Sequence, residues 1–243
     1  MRKTSGYIIN LLVLMLSVSR TAGGQSGSPD TLDFPLNIRA GAEVIGPVIY
    51  FIDRNNLSAE GFISADLNER YGLYAGGGYS DYRYSQYNYE YRSKGLFFKA
   101  GVDINILPPE KSMGRYWAGV GLRYGISTFN SEVPSFDFEN YWGSLSSSIS
   151  SSDYFAHYLE ASPGFKAEMF RHFTMGWSVN IRRLIYSGAG KDLRPIYFPG
   201  FGSGSGKMSF GISYYFAANI QWKKIKVIVK QEAPPEEDET ANQ

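Results

Sequence analysis

The amino-acid sequence predicts an all-β protein in which eight antiparallel strands close into a transmembrane barrel. Three observations carry that prediction. Apolar and polar residues alternate with period two over most of the chain, which puts one set on each face of a sheet. The alternating segments run to about ten residues, the length a tilted strand needs to cross a bilayer. Short and long connections also take turns along the chain, as they do in bacterial outer-membrane barrels.

The composition agrees. The chain has 243 residues, of which 43% are apolar, 16% aromatic and 19% charged, with 19 Tyr, 27 Gly and no Cys. So few charges and so many aromatics exclude a disordered chain. The absence of Cys excludes disulfides, thiolate metal sites and a cysteine nucleophile.

The first 24 residues read as a secretory signal peptide. Arg2 and Lys3 precede the apolar run from Tyr7 to Val18. That run is too short to span a bilayer. Ala22 and Gly24 supply the small residues of a cleavage site before Gln25. Without Arg2, Lys3 and Arg20 the formal charge falls from +1 to −2.

The strands follow in order. Leu36 to Val44, Leu57 to Leu67 and the Gly-rich Tyr71 to Ser80 come first. Leu96 to Ile106 interleaves Leu96, Phe98, Ala100 and Val102 with Phe97, Lys99, Gly101 and Asp103. Tyr116 to Ile126, Tyr154 to Met169 and Phe173 to Tyr186 come next, with a bulge expected after Arg183. Met208 to Trp222 closes a barrel spanning 36–222. Residues 223–243 form an acidic periplasmic tail, and its last thirteen residues, with Glu232, Glu236, Glu237, Asp238 and Glu239 and no bulky apolar group, predict disorder.

A soluble eight-stranded barrel or sandwich is the competing architecture. Its interior would be apolar and its exterior polar. Here the polar set is rich in Gly and Ser and carries charges of both signs, while the apolar set is almost free of charge. That favours small groups and ion pairs inside and lipid outside. Tyr71, Tyr116, Tyr124, Tyr154, Tyr186, Tyr214 and Trp222 fall at strand ends, where membrane-interface girdles lie.

Antiparallel register places one constellation in the interior. With a tight turn near 170–172 and a symmetric hairpin around 129–153, partner numbers add to about 342 and about 283. Glu160 then faces Arg182 on one side and Arg123 on the other. Two flanking cations make Glu160 a fixed anion better than a general acid, so the cluster is read as structural.

A second candidate is the aromatic outer loop, with Tyr82, Tyr84, Tyr87, Tyr89 and Tyr91. Tyr can stack on sugars or anchor a partner. It also suits strands that extend beyond the membrane. Phe136, Phe138, Tyr141 and Trp142 could add to that surface.

His157 falls on the apolar-phase face, near Ser127 and Ser152, but no nucleophile motif marks either serine. His172 sits in a short turn. These two His are too sparse for a metal site. GFGSGSGK (Gly200 to Lys207) lacks P-loop spacing, and no basic helix or nucleic-acid motif is present. No catalytic residue, cofactor or metal is assigned.

GLRYGISTFN (Gly121 to Asn130), GWSVNIRR (Gly176 to Arg183) and IYFPGFG (Ile196 to Gly202) resemble an uncharacterised outer-membrane β-barrel family of Bacteroidota, a domain of unknown function. The resemblance runs from about Leu36 to the last strand. It implies an outer-membrane location and no particular activity. Ser209, Gly211, Tyr214 and Phe216 also resemble the β-signal read by the barrel assembly machinery.

The expected function is therefore a structural or surface-interaction role in the cell outer membrane. Outer-membrane lipid and the assembly machinery are the partners, with an unidentified surface ligand. An outer-leaflet lipid-modifying enzyme and a passage or binding site for small ligands are the alternatives.

Overall fold

Long alternating strands with short turns between them favour a meander, and a computed structural model of the chain shows one. It describes residues 30–141, 143–170, 172–188, 194–203 and 206–229. The signal segment, the tail from residue 230 and Trp142 lie outside the described residues.

In chain order the elements are β1 (Asp30–Glu43), α1 (Ile45–Ile52), β2 (Asn56–Asp66), β3 (Tyr71–Gln86), β4 (Tyr89–Asn105) and α2 (Pro109–Ser112). They continue with β5 (Tyr116–Asn140), β6 (Gly143–Phe170), β7 (Phe173–Ser187), β8 (Tyr197–Phe198), β9 (Gly202–Ser203) and β10 (Met208–Val229). Eight strands form one closed antiparallel ring in the order β1, β10, β7, β6, β5, β4, β3, β2. The short strands β8 and β9 pair only with each other.

The ring is apolar outside and polar inside. Leu96, Phe98, Leu122, Phe165, Trp177, Phe210 and Ile212 are exposed on its outer face. Lys99, Asp103, Glu160, Ser162, Ser178 and Asn180 are buried within it. Period-two alternation produces both sets from the same strands.

Strand lengths differ from the expectation. β3 continues past Ser80 and turns at Tyr87 (φ 50°) directly into β4. β5 and β6 run through most of the segment expected as the loop 129–153. Both segments keep alternating beyond the length a membrane requires, with Tyr, Phe and Ser supplying strand-compatible side chains. β10 likewise runs past Trp222 to Val229, into the segment read as tail.

Two further features emerge. α1 spans eight residues, too few for a helical period to stand out in the sequence. Glu43 defines its start, because the carboxylate accepts from Ile45 N (2.8 Å) and Gly46 N (2.9 Å). The register between β6 and β7 shifts at His157/Tyr158, opposite Tyr186 and Leu184, where the additional residue Ile185 makes the bulge.

Candidate functional site: the two-layer interior

The middle of the ring holds a connected set of ion pairs. Register brings Arg123, Glu160 and Arg182 side by side, since Glu160 pairs with both arginines across the sheet. Arg182 Nε donates to Glu160 Oε2 at 2.7 Å, and Arg123 Nη1 donates to Oε1 at 3.0 Å. Ser162 Oγ is a third donor to the carboxylate, 3.1 Å from Oε1. The Glu160 side chain has no solvent exposure.

The network extends beyond those three residues. Lys99 Nζ lies 3.2 Å from Glu160 and 2.7 Å from Glu60. Tyr74 donates its hydroxyl to Glu60 and carries the Arg123 guanidinium on its ring face, 3.7 Å from the centroid. Arg123 also approaches Asp103 at 3.6 Å, and Asp103 pairs with Lys166 at 2.8 Å. Arg39 and Asp66 form a further pair at 2.6 Å. Lys99, Asp103 and Lys166 stand in the same polar phase as Glu160. Antiparallel counting across β5, β6 and β7 reaches neither Lys99 of β4 nor Glu60 of β2.

Above this layer lies an aromatic one. Residues 195–201 fold inward, burying Pro195, Phe198, Pro199 and Phe201. Phe198 and Phe201 pack with Phe129, Tyr154, Ala156 and Tyr158 of the wall. Gly200 (φ +74°) makes the bend, and a side chain there would collide with the Phe97 and Tyr158 rings. The Arg182 Nη1 group donates to Phe201 O at 3.3 Å, which ties the two layers together.

The insert changes the meaning of the tyrosine ladder. Tyr91 is wholly buried and is not part of an outer surface. Its hydroxyl accepts from Ser131 Oγ (2.9 Å) and Ile196 N (3.0 Å). Ser93 Oγ donates to Tyr197 O at 2.9 Å. Tyr82 stacks on Tyr197 with centroids 4.4 Å apart. Burial pushes both of these phenols above their ordinary pKa, so both stay protonated. Tyr89 is half-buried and meets Tyr84 edge-on, leaving Tyr84 and Tyr87 as the exposed members. Alternation assigns Tyr91 to the inner face of β4, but nothing in a loop sequence tells what that face meets.

The histidines are placed as follows. His157 lies outside the ring among Phe155, Tyr124 and Tyr186, with Tyr124 Oη 2.7 Å from its Nδ1. Ser127 is fully buried on the opposite face of the wall. Ser152 shares the inward phase of Tyr154 and Ala156. The residues therefore do not form a Ser–His pair. His172 is exposed in a turn at φ +70°. Among the described residues, no group of three or more His, Asp or Glu could hold a metal ion.

An all-β ring filled by ion pairs and capped by its own loop is the class of protein that the fold defines. A family described as a domain of unknown function, DUF6048, matches residues 4–222, and the chain belongs to that family. The match starts upstream of Leu36, where the resemblance in the strands begins. No curated protein matches the chain.

Proposed function

We propose that the protein is an eight-stranded β-barrel of the bacterial outer membrane with a structural and surface-interaction role rather than a catalytic one. The observation that carries this reading is the inverted polarity of the ring. Across the middle of the strands the exposed face is aliphatic and aromatic, whereas Arg39, Lys99, Asp103 and Glu160 are buried inside. Water would penalise that arrangement, and a hydrocarbon layer stabilises it. Exposed Tyr71 and Tyr116 near the short turns, and Tyr79, Tyr124 and Tyr186 toward the long hairpins, suit interfacial girdles.

Ion pairs and the inserted loop fill the interior, which argues against an open aqueous channel. Tyr84, Tyr87 and the protruding β5–β6 hairpin supply the surface available to a ligand. A lipid-modifying enzyme would need a nucleophile on the same face as His157, and Ser127 and Ser152 are on the other.

Cell fractionation combined with gel migration tests the reading. The expected result is recovery in the outer-membrane fraction and a band that migrates faster unboiled than boiled. Recovery in the soluble fraction with no heat-dependent shift would overturn it.

A further inference from the structure

β10 outlasts the strand on one side of it. Its ladder with β7 ends at the pair Ala218–Phe173, and Asn219 N then donates to His172 O at 2.9 Å. The strand nevertheless continues to Val229, with β1 as its neighbour on the other side. Val44 N donates to Tyr214 O, so even-numbered residues of β10 turn their N–H and C=O groups toward β1. Odd-numbered residues, like Asn219, turn theirs the other way. Ile225 and Val227 are half-buried between exposed neighbours and keep the inward phase of buried Asn219, so the alternation is unbroken. The backbone groups of Gln221, Lys223, Ile225 and Val227 therefore face a side where no strand pairs among the described residues. That bare edge is about 20 Å long at the usual strand rise.

An open groove of about 560 Å³ lies where β7 falls away, lined by Arg115, Glu168, Phe170, His172, Asn219 and Gln221. Lys223, Lys224 and Lys226 continue from it along the edge, all exposed. None of the three enters an ion pair among the described residues. With Arg115 they outnumber Glu168, the acid of the groove lining. A bare strand edge is a template for a further strand, whose backbone supplies affinity and whose side chains supply selectivity. Two copies of this chain joined edge to edge would set these lysines against their own kind, and like charges across a ladder are unfavourable. A strand carrying carboxylates meets them with opposite charge.

We propose that the free edge of β10 binds an extended acidic segment of a partner protein, which joins the sheet as a further strand beside Gln221–Val227. The proposal rests on strand pairing and charge and not on the membrane reading above. Fractionation decides that reading, and binding decides this one.

The binding test uses full-length protein in detergent and a fluorescein-labelled peptide of about seven residues, the length of the bare edge, in which Glu and Val alternate. Fluorescence anisotropy should rise to saturation. A fully N-methylated peptide keeps the charge but has no backbone donors, and its affinity should be at least tenfold lower. Ile225→Pro removes one donor from the free edge and spares the bonds to β1, so it should cause a similar loss. Lys224→Glu combined with Lys226→Glu reverses the charge, and it must weaken binding at least tenfold should Ile225→Pro fail to fold. Lys207→Glu, at the other end of β10, should bind like the wild type. The absence of saturable binding to the wild type would overturn the proposal. Equal affinity for the N-methylated peptide would do so too, since charge attraction alone would then explain the binding. A wild-type dimer that Ile225→Pro dissociates would overturn it in favour of a second copy at this edge.

Discussion

The ionic and aromatic layers of the interior fill the same lumen by different physics. In the ionic layer, each buried charge is tolerated because an opposite charge and further donors surround it. In the aromatic layer, rings pack against rings and the few hydroxyls serve the backbone of the insert. The ionic layer is made wholly by strand residues held in register. The aromatic layer needs a loop to come back into the ring. One is therefore sensitive to the loss of a single charge, and the other to the loss of a loop contact.

The largest expected effect comes from Glu160→Gln. It leaves Arg123, Arg182 and Lys99 around a neutral amide, and breaking such a buried pair costs about 3–5 kcal/mol. Urea unfolding followed by the folded gel band should show it as a lower midpoint. Arg182→Gln added to this variant should recover part of the loss, and a strictly additive double mutant would deny the coupling.

Tyr91→Phe tests the aromatic layer. It keeps the ring but removes the oxygen that serves Ile196 N and Ser131 Oγ, for a loss of about 1–3 kcal/mol. Protease sensitivity of the 187–207 segment should rise while the ring stays intact. The smallest effect is expected for Tyr87→Ser at the exposed hairpin tip, within about 0.5 kcal/mol of the wild type. A larger loss in the same urea titration would mean that the tip supports the ring.

The same contrast explains what could be read in the sequence. The placement of Glu160 between Arg123 and Arg182 follows from strand period and antiparallel counting, because both are local rules propagated across turns. The inward set that contains Lys99, Asp103 and Lys166 was legible for the same reason. Phe198 and Phe201 were not, since IYFPGF alternates with nothing and its seat is assembled from distant strands. The burial of Tyr91 is not legible, because its partner in space, Ile196, is far away in sequence. Nor is α1, because two helical turns carry too little period. Its one local sign was a carboxylate at Glu43 with Pro47 in the first turn.

The inward fold of residues 195–201 has a consequence for the order of events in assembly. Its contacts lie on β3 at Ser80, on β4 at Tyr91 and Ser93, on β5 at Phe129, on β6 at Tyr158 and on β7 at Arg182. That seat does not exist until those five strands stand around one lumen. The insert is therefore a late-locking element, and its closure reports from inside that the wall around it is complete.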